Sequence, residues 1–284
     1  MNAHISVWSG YFRDLTPEEA VDELVAAGFS CAEFSIEHGI QLLERPGTPL
    51  EKGKALKEYA AQKGLALLQG HLDMALDLIL DNDKLKDWLD LFWGLGIKAA
   101  VLHATGAADA PHEEQLKLRA AALNKLQAHI AGRDMTICME NLFANAMVNT
   151  ADGILELIEA AGGTQLGVCL DIGHLHRTRS HGKTQQTPWE FITKAGARLQ
   201  ALHIHTNNGD LDDHLLPYSG MKGMTTAQWK EAMTALREVN YQGLFNMELN
   251  GEAKAPLAVR RMKLRYAHQL AGYLLSDEFL QTEA

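Results

Sequence analysis

The chain has 284 residues, of which 46% are hydrophobic and 22% are charged, an ordinary composition for a soluble globular protein with a full core. Its formal net charge of −10 argues against a general nucleic-acid-binding surface, although a local basic groove stays open. Because no apolar run approaches the roughly 18 residues of a membrane span and no signal peptide follows Met1, we expect a cytoplasmic protein with no membrane or nucleic-acid partner.

Short apolar segments alternate with helical segments along the chain. Strands are predicted at residues 4–8, 31–36, 65–70, 97–102, 135–139, 166–170, 199–205 and 244–247. Helices are predicted at residues 17–27, 50–62, 83–93, 112–131, 151–161, 188–195, 226–238 and 255–275. The first helix has clear boundary signals, since Thr16 is a typical N-cap, Pro17 stands at the first helical position and Gly28 follows the last turn.

Eight strand–helix units of this length predict a parallel sheet closed into a single (β/α)8 TIM barrel. The alternative is a Rossmann sheet, but no G-x-G-x-x-G motif opens the chain. No linker-like segment interrupts the pattern, so we expect one domain over residues 1–284. The cysteines Cys31, Cys138 and Cys169 lie in apolar strands and are expected to be buried core residues in a reducing compartment.

Histidines and acids stand where the predicted strands end, from the third strand to the eighth. These residues are His71, His103, Glu140, Asp171, His203 and Glu248. Parallel strands bring their carboxyl ends to one face of a barrel, so the six side chains should meet there. Imidazole and carboxylate are good ligands for Zn²⁺ or Mn²⁺, and a shared metal would satisfy groups that are costly to bury alone. The alternative is a purely structural polar network.

Three of these positions have a second interpretation. Asp171 could simply cap a helix, with His174 three residues later as an incidental neighbour. His203 and His205 point to the same face of their strand, and we favour His203 as the ligand and His205 as a group that supports it or faces the substrate. The segment 212–214, Asp-Asp-His, is either a solvated turn or a further metal or substrate contact.

Other polar and aromatic residues carry weaker signals. Glu33 lies inside a strand and either points into the barrel or pairs with a cation. Trp8 and Phe34 could form the wall of a sugar pocket or belong to the core, and Lys222 could meet a phosphate or be solvated. Six histidines are given no role, and most of them are expected at the surface: His4, His38, His112, His129, His176 and His181.

Several short motifs occur in an order that resembles the xylose isomerase-like TIM barrels, a family of sugar and sugar-phosphate isomerases and epimerases that also includes the endonuclease IV group. The motifs are Met139-Glu140-Asn141, Leu170-Asp171-Ile172-Gly173-His174, His203-Ile204-His205 with Asn207, Asn208 and Gly209, then Asp212-Asp213-His214, and Met247-Glu248. The resemblance covers essentially the whole chain. It departs after Asp212-Asp213-His214, where the loop that ends at Gly223 is longer than the usual Pro-Gly-x-Gly.

The resemblance implies a divalent metal, Mn²⁺, Zn²⁺ or Mg²⁺, and a set of site residues. In the epimerase branch, the metal ligands correspond to Glu140, Asp171, His203 and Glu248, and the substrate contact to His174. In the endonuclease IV branch, the further zinc ligands correspond to His71, His103, His174, Asp212 and His214, and all five are present. We therefore expect His71, His103, His174 and His205 to contact substrate, with Asp212 and His214 as additional metal ligands. The loops lack the basic stretches expected of a DNA-repair enzyme.

The expected function is a metal-dependent isomerase or epimerase of a ketose sugar or sugar phosphate. Glu140 and Glu248 would act as acid and base next to the carbonyl, with a metal-stabilised enediolate. A dehydratase of a polyol or hydroxy-ketone on the same site is the close alternative, because it also begins with proton removal. An endonuclease IV-like phosphodiesterase and a non-catalytic sugar-binding barrel are more distant alternatives. The expected partner is a small sugar, and a homo-oligomer stays open.

Overall fold

The computed structural model describes residues 3–283 and forms a (β/α)8 barrel, as predicted. Eight parallel strands lie in the order β7-β6-β5-β4-β3-β2-β1-β8. They are β1 His4–Trp8, β2 Cys31–Phe34, β3 Ala66–His71, β4 Ala99–Leu102, β5 Thr136–Glu140, β6 Leu166–Asp171, β7 Leu199–His203 and β8 Leu244–Met247. Ile204, directly after β7, pairs with Met247 of β8 and brings the two ends of the sheet together.

Helices cover the outside of the barrel, and most of them begin with a side-chain cap. They are α1 Pro17–Ala27, α2 Ile36–Leu43, α3 Pro49–Lys63, α4 Asn82–Leu95, α5 His112–His129, α6 Ala151–Ala161, α7 Ile172–Ser180, α8 Pro188–Ala195, α9 Thr226–Glu238, α10 Leu257–Leu274 and α11 Asp277–Gln281. Thr16 and Glu19 form the capping box that starts α1, and Gly28 ends that helix at a φ of 103°, which favours glycine. The boundary signals of the first helix are thus confirmed.

Two helices at the carboxyl end of the barrel were not predicted from the sequence. β2 ends at Phe34, two residues before the predicted end, because the Ser35 side chain accepts a hydrogen bond from the His38 amide and starts α2. Asp171 likewise accepts a hydrogen bond from the His174 amide at 2.6 Å and starts α7. In both cases a polar cap directly after an apolar strand turns the chain into a helix without an intervening loop.

The hydrophobic core has two parts. The larger part lies between the sheet and the helices, and a small cluster of Ala99, Val101, Cys138, Cys169 and Ala201 lies apart from it on strands β4 to β7. All three cysteines are buried and free, as expected. Within residues 3–283, none of the helices combines the length and the apolar character that a membrane crossing requires.

Candidate metal and active site

The six strand-end residues lie together at the carboxyl end of the barrel. His71, Glu140, Asp171 and His203 are the last residues of β3, β5, β6 and β7. His103 and Glu248 directly follow β4 and β8. His103 is partly buried, and the other five side chains are buried.

The hydrogen bonds of His203 determine which of its ring nitrogens is free. Its Nε2–H donates to Glu33 Oε1 at 3.0 Å, and Asn246 donates from its amide nitrogen to the other oxygen of Glu33. Asn246 in turn accepts from the Ser6 hydroxyl at 2.9 Å. Since the proton of neutral imidazole is needed at Nε2, Nδ1 carries a lone pair.

That lone pair faces carboxylate oxygens from three strands. His203 Nδ1 lies 3.2 Å from Glu248 Oε2, 3.4 Å from Glu140 Oε1 and 3.7 Å from Asp171 Oδ2. Both His203 Nδ1 and Glu248 Oε2 are buried without a hydrogen-bond partner among the described residues. A lone pair opposite several carboxylates is unfavourable unless a cation lies between them, and one imidazole with three carboxylates fits a divalent metal. We call these four residues the metal cluster.

The pKa directions in the cluster show an excess of negative charge. Burial alone would lower the pKa of His203, but Cys169, Glu248 and the other glutamates outweigh it and raise the pKa well above its ordinary value. Burial would raise the pKa of Glu140, yet His203 and His103 bring it well below the usual range. Burial dominates at Glu248 and raises its pKa. The negative charge that retains a second proton on His203 in the absence of metal would equally favour a divalent cation in place of that proton.

Asp171 is held rigidly from several sides. Besides capping α7, its carboxylate is hydrogen-bonded to His205, whose Nε2 lies 3.0 Å from each of the two oxygens. The Asn141 side chain bonds to both backbone groups of Asp171, at 2.7 and 2.9 Å. Asp171 is therefore both the N-cap of α7 and a member of the metal cluster. His205 is fully buried behind Asp171 and does not line the cavity described below.

Three further histidines share one orientation. The Nδ1 atoms of His71, His174 and His214 face the backbone carbonyls of Leu72, Asn141 and Glu248 at 2.7, 2.9 and 3.1 Å. Each Nε2 then faces a carboxylate: Glu140 at 3.1 Å for His71, and Asp212 at 3.0 and 3.3 Å for His174 and His214. A ring whose one nitrogen is fixed by a backbone carbonyl, while the other is directed at carboxylates, has the orientation that is usual for a metal-binding histidine.

The histidines give three further groups of potential ligands, and the ligand atoms within each group lie within 4.8 Å of one another. The groups are His71, His103 and Glu140; His174, Asp212 and His214; and His205, His214 and Glu248. Although burial opposes protonation, Glu248 and Asp212 raise the pKa of His214 to about 9, so the groups that contain His214 also attract positive charge.

A cavity of about 190 Å³, which we call the inner cavity, opens onto these groups. Its wall includes Trp8, Arg13, His71, His103, Glu140, His174, Asp212, His214 and Glu248. Trp8 thus lines the cavity, whereas Phe34 is packed in the core against Phe92. Lys222 pairs with Asp210 at 3.1 Å in an exposed position instead.

Sequence reasoning did not assign a role to Ser6 or Asn246 and left the role of Glu33 open. All three lie within strands between apolar neighbours, as in Ile5-Ser6-Val7 and Phe245-Asn246-Met247. A polar residue in such a position is a sign of a buried hydrogen-bond network, but it does not identify the partner.

Comparison with known proteins agrees with the fold. A family model described as xylose isomerase-like TIM barrel matches residues 21–265. An uncharacterized protein of Sinorhizobium fredii, y4fM, is 30% identical over 169 residues, which are 58% of this chain and 51%, or about half, of that protein. A D-psicose 3-epimerase of Enterocloster bolteae is 26% identical over 245 residues, which are 80% of this chain and 75% of that protein.

A solved structure of D-psicose 3-epimerase with D-tagatose, from Clostridium cellulolyticum H10, is similar over nearly the whole chain. The TM-score is 0.76 with 16% sequence identity, and the alignment covers 96% of this chain and 99% of that chain. At this identity the similarity supports the barrel architecture alone.

Proposed function

Because the chain belongs to the xylose isomerase-like TIM barrel family, we propose that it is a divalent-metal-dependent epimerase or isomerase of a ketose. The observation that carries the proposal is His203 Nδ1, which is buried without a hydrogen-bond partner among three carboxylates. Two of these carboxylates, Glu140 and Glu248, line the inner cavity. The 26% identical epimerase is named for its action on a ketose, D-psicose, which supports the same substrate class here.

Glu140, Asp171, His203 and Glu248 would hold the metal ion, which is Mn²⁺, Zn²⁺ or Mg²⁺. When bound, the ion would polarise the substrate's carbonyl and hydroxyl oxygens and offset the negative charge that develops on them. His205 would keep Asp171 in position and would not meet the substrate, which revises our expectation for this residue.

Glu140 and Glu248 are the proposed proton-transfer groups. They stand at the ends of the non-adjacent strands β5 and β8, and both line the inner cavity. The histidines around Glu140 lower its pKa despite burial, whereas burial raises the pKa of Glu248. Two carboxyls that both reach the cavity suit one group that accepts the proton next to the carbonyl and another that returns it. His71, His103 and His174 line the same cavity and would contact substrate oxygens.

A metal-dependent phosphodiesterase is the second candidate. The observation that favours it is the presence of additional ligand groups, among them one built on His71 and His103 and another on Asp212 and His214. Sites with more than one metal ion suit phosphoryl transfer, because they stabilise both the attacking and the leaving oxygen.

Solvent exchange separates these functions. We expect the metal-loaded protein in D₂O to introduce deuterium next to the carbonyl of at least one ketose. NMR measures this incorporation. The near-isosteric Glu248→Gln variant should lose about 10²–10⁴-fold in rate while it keeps the fold. Incision of an abasic DNA duplex without exchange into any sugar would overturn the proposal and favour the phosphodiesterase. A product that has lost water would instead identify a dehydratase.

A further inference from the structure

A second and larger cavity, of about 760 Å³, adjoins the inner cavity. We call it the outer cavity. His103 and His174 line both cavities, so the two cavities are adjacent at these histidines, and a molecule that extended past them from the metal cluster would reach the outer cavity. The inner cavity alone is smaller than the roughly 300–1,000 Å³ of typical ligand sites. A substrate therefore has room for a substituent beyond its reacting carbons.

Two cationic groups meet at one aromatic ring in the wall of the outer cavity. Arg177 and Lys183 lie 3.9 and 3.7 Å from the ring centre of Phe143. Arg177 and Phe143 line the cavity, and Lys183 also donates to the Phe143 carbonyl at 3.3 Å. An aromatic ring attracts cations but carries no net charge, so the positive charge of the pair is not neutralised.

Arg119 adds a third positive charge at this place. Arg119 and Arg177 line the outer cavity, whereas Lys183 lies at the Phe143 ring without lining the cavity. Arg119 is 1% exposed, and its guanidinium donates to the Gly106 carbonyl at 2.8 and 3.1 Å and to Gln115 Oε1 at 3.1 Å. These partners are neutral. Burial lowers the pKa of Arg119, and the negative charge of Asp77 offsets this lowering only in part. A buried cation without a paired anion is costly unless a ligand provides one.

Acids of the chain do not neutralise this wall. Within residues 3–283, no carboxylate oxygen lies within 4.0 Å of a side-chain nitrogen of Arg119, Arg177 or Lys183. Glu156, which lines the outer cavity, is paired with His112 at 3.2 Å. The rest of the molecule has a net negative charge, so an anion would be attracted to this place in particular.

We propose that the outer cavity binds an oxyanion substituent of the substrate, a phosphate or a carboxylate, next to Arg177, Lys183 and Arg119. This inference rests on the proposed function, because it assigns the ketose a negatively charged group on a carbon away from the reacting centre. Arg177 is the group that can meet the oxyanion directly. Its Nε donates to the Asp210 carbonyl at 3.1 Å, and its two terminal nitrogens make no hydrogen bond to the residues that the structure describes.

The test compares substrates and variants of the full-length, metal-loaded protein. Solvent deuterium exchange is measured with a neutral ketose, its terminal phosphate ester and the corresponding keto-acid. We expect kcat/KM to be at least about tenfold higher for an anionic substrate, since charge-assisted hydrogen bonds are worth roughly that factor. The double variant Arg177→Gln/Lys183→Gln should reduce this preference about tenfold. Whether the ester or the acid is preferred distinguishes phosphate from carboxylate.

Arg179→Gln is the matched control. Arg179 stands on the same helix as Arg177, α7, next to Leu175 and Pro188, and it does not line the outer cavity. Its replacement removes one positive charge, whereas the double variant removes two, so the single variant Arg177→Gln is measured beside it. The exchange rates of Arg179→Gln should equal those of the wild type. An equal effect of the double variant and this control on the anionic substrate would overturn the inference, even if neutral ketoses exchange.

Calorimetry with inorganic phosphate tests the cavity independently of turnover. The double variant should bind phosphate about tenfold more weakly than the wild type and than Arg179→Gln. If no ketose exchanges deuterium with solvent, the proposed function fails, and phosphate binding alone then decides whether the anion site exists. Weaker binding by the double variant then supports the anion site, and unchanged binding overturns it.

Discussion

At His203, a single hydrogen bond decides which ring nitrogen can bind a metal ion. Glu33 accepts the Nε2–H, so Nδ1 is left for the carboxylates of the metal cluster. Glu33 itself is fully buried and is held by Asn246, so it cannot turn away easily. Residues that orient a ligand in this way usually affect metal affinity almost as strongly as the ligands do.

We predict that Glu33→Gln weakens metal binding by about 10–100-fold without unfolding the protein. Glutamine has the same size, but its amide removes one acceptor and offers a donor in its place, so the orientation of His203 becomes ambiguous. Titration of the metal-free protein with Mn²⁺ or Zn²⁺ measures the change. Glu58→Gln, at an exposed position, is the control. Equal affinities for the two variants would contradict this role of Glu33.

His38 is a buried histidine away from the metal cluster, contrary to the expectation of a surface position. It contacts the hydroxyls of Ser9 and Ser35 at 2.9 and 3.2 Å and the Phe12 carbonyl at 3.3 Å. Burial lowers its pKa from 6.5 to about 4. Between these values the unfolded chain binds a proton that the folded chain does not.

The stability that His38 contributes is therefore fully present above about pH 6.5 and is lost as the pH falls toward 4, by about 3 kcal/mol in total. We predict that His38→Gln, with chelator present, is less stable than the wild type at pH 7 but loses less stability on acidification. Denaturant unfolding at intervals between pH 4 and pH 7 gives the slopes. His181→Gln, at an exposed position, should keep the wild-type slope. A parallel slope for His38→Gln would exclude this explanation.

Among the helices, α3 and α4 approach each other closely enough to need glycine on both. A Cβ on Gly53 would lie 2.8 Å from the Leu95 backbone nitrogen and even closer to the Leu91 carbonyl oxygen. A Cβ on Gly94 would meet the Leu50 carbonyl oxygen in the same way. Because these contacts are with backbone, no side-chain movement can relieve them.

We predict that Gly53→Ala destabilises the protein by about 1–3 kcal/mol, although alanine is the better helix former. Gly272→Ala on α10 is the matched control, since its new Cβ would contact only Ile5 Cδ1 at an ordinary 3.7 Å. That change should be neutral or stabilise by up to about 1 kcal/mol. Denaturant unfolding of both variants measures the difference, and equal effects would show that the helices can separate.

The elements were largely predictable because strand and helix periodicity, Thr-Pro helix starts and Gly helix ends are local signals. The exceptions are local too, but they compete with a second signal. Ile36 continues the apolar pattern of β2, so the cap at Ser35 was overlooked. At Asp171 the metal and the cap interpretations were treated as alternatives, whereas the structure combines them.

For the whole molecule, the barrel explains which parts of the site could be predicted. Strand-end residues are gathered by the topology itself, so His71 through Glu248 could be grouped from their order in the chain. Glu33 and His203 are 170 positions apart, and their contact depends on which side of each strand faces inward. The cations around Phe143 come from α7 and from loops, whose packing no periodicity predicts.

The last prediction concerns the stability of the whole barrel. Three buried carboxylates around His203 oppose folding when no cation compensates them, and only the folded chain brings these four groups together. A metal ion that binds the folded state alone adds about 2.7 kcal/mol at a concentration of 100 times its Kd. For a chain of this size, that corresponds to a Tm increase of about 4–5 °C.

We therefore expect calorimetry to show a higher Tm with Mn²⁺ or Zn²⁺ than with chelator, and the gain should grow with metal concentration. Glu248→Gln removes one negative ligand and should reduce the gain, whereas Glu159→Gln, at an exposed position, should keep it. The comparison of the two variants separates the metal cluster from weak binding to surface acids, because Glu248 is buried and only Glu159→Gln removes a surface carboxylate. If the metal leaves the wild-type Tm unchanged, or raises the Tm of Glu248→Gln by the same amount, the four residues do not form a metal site.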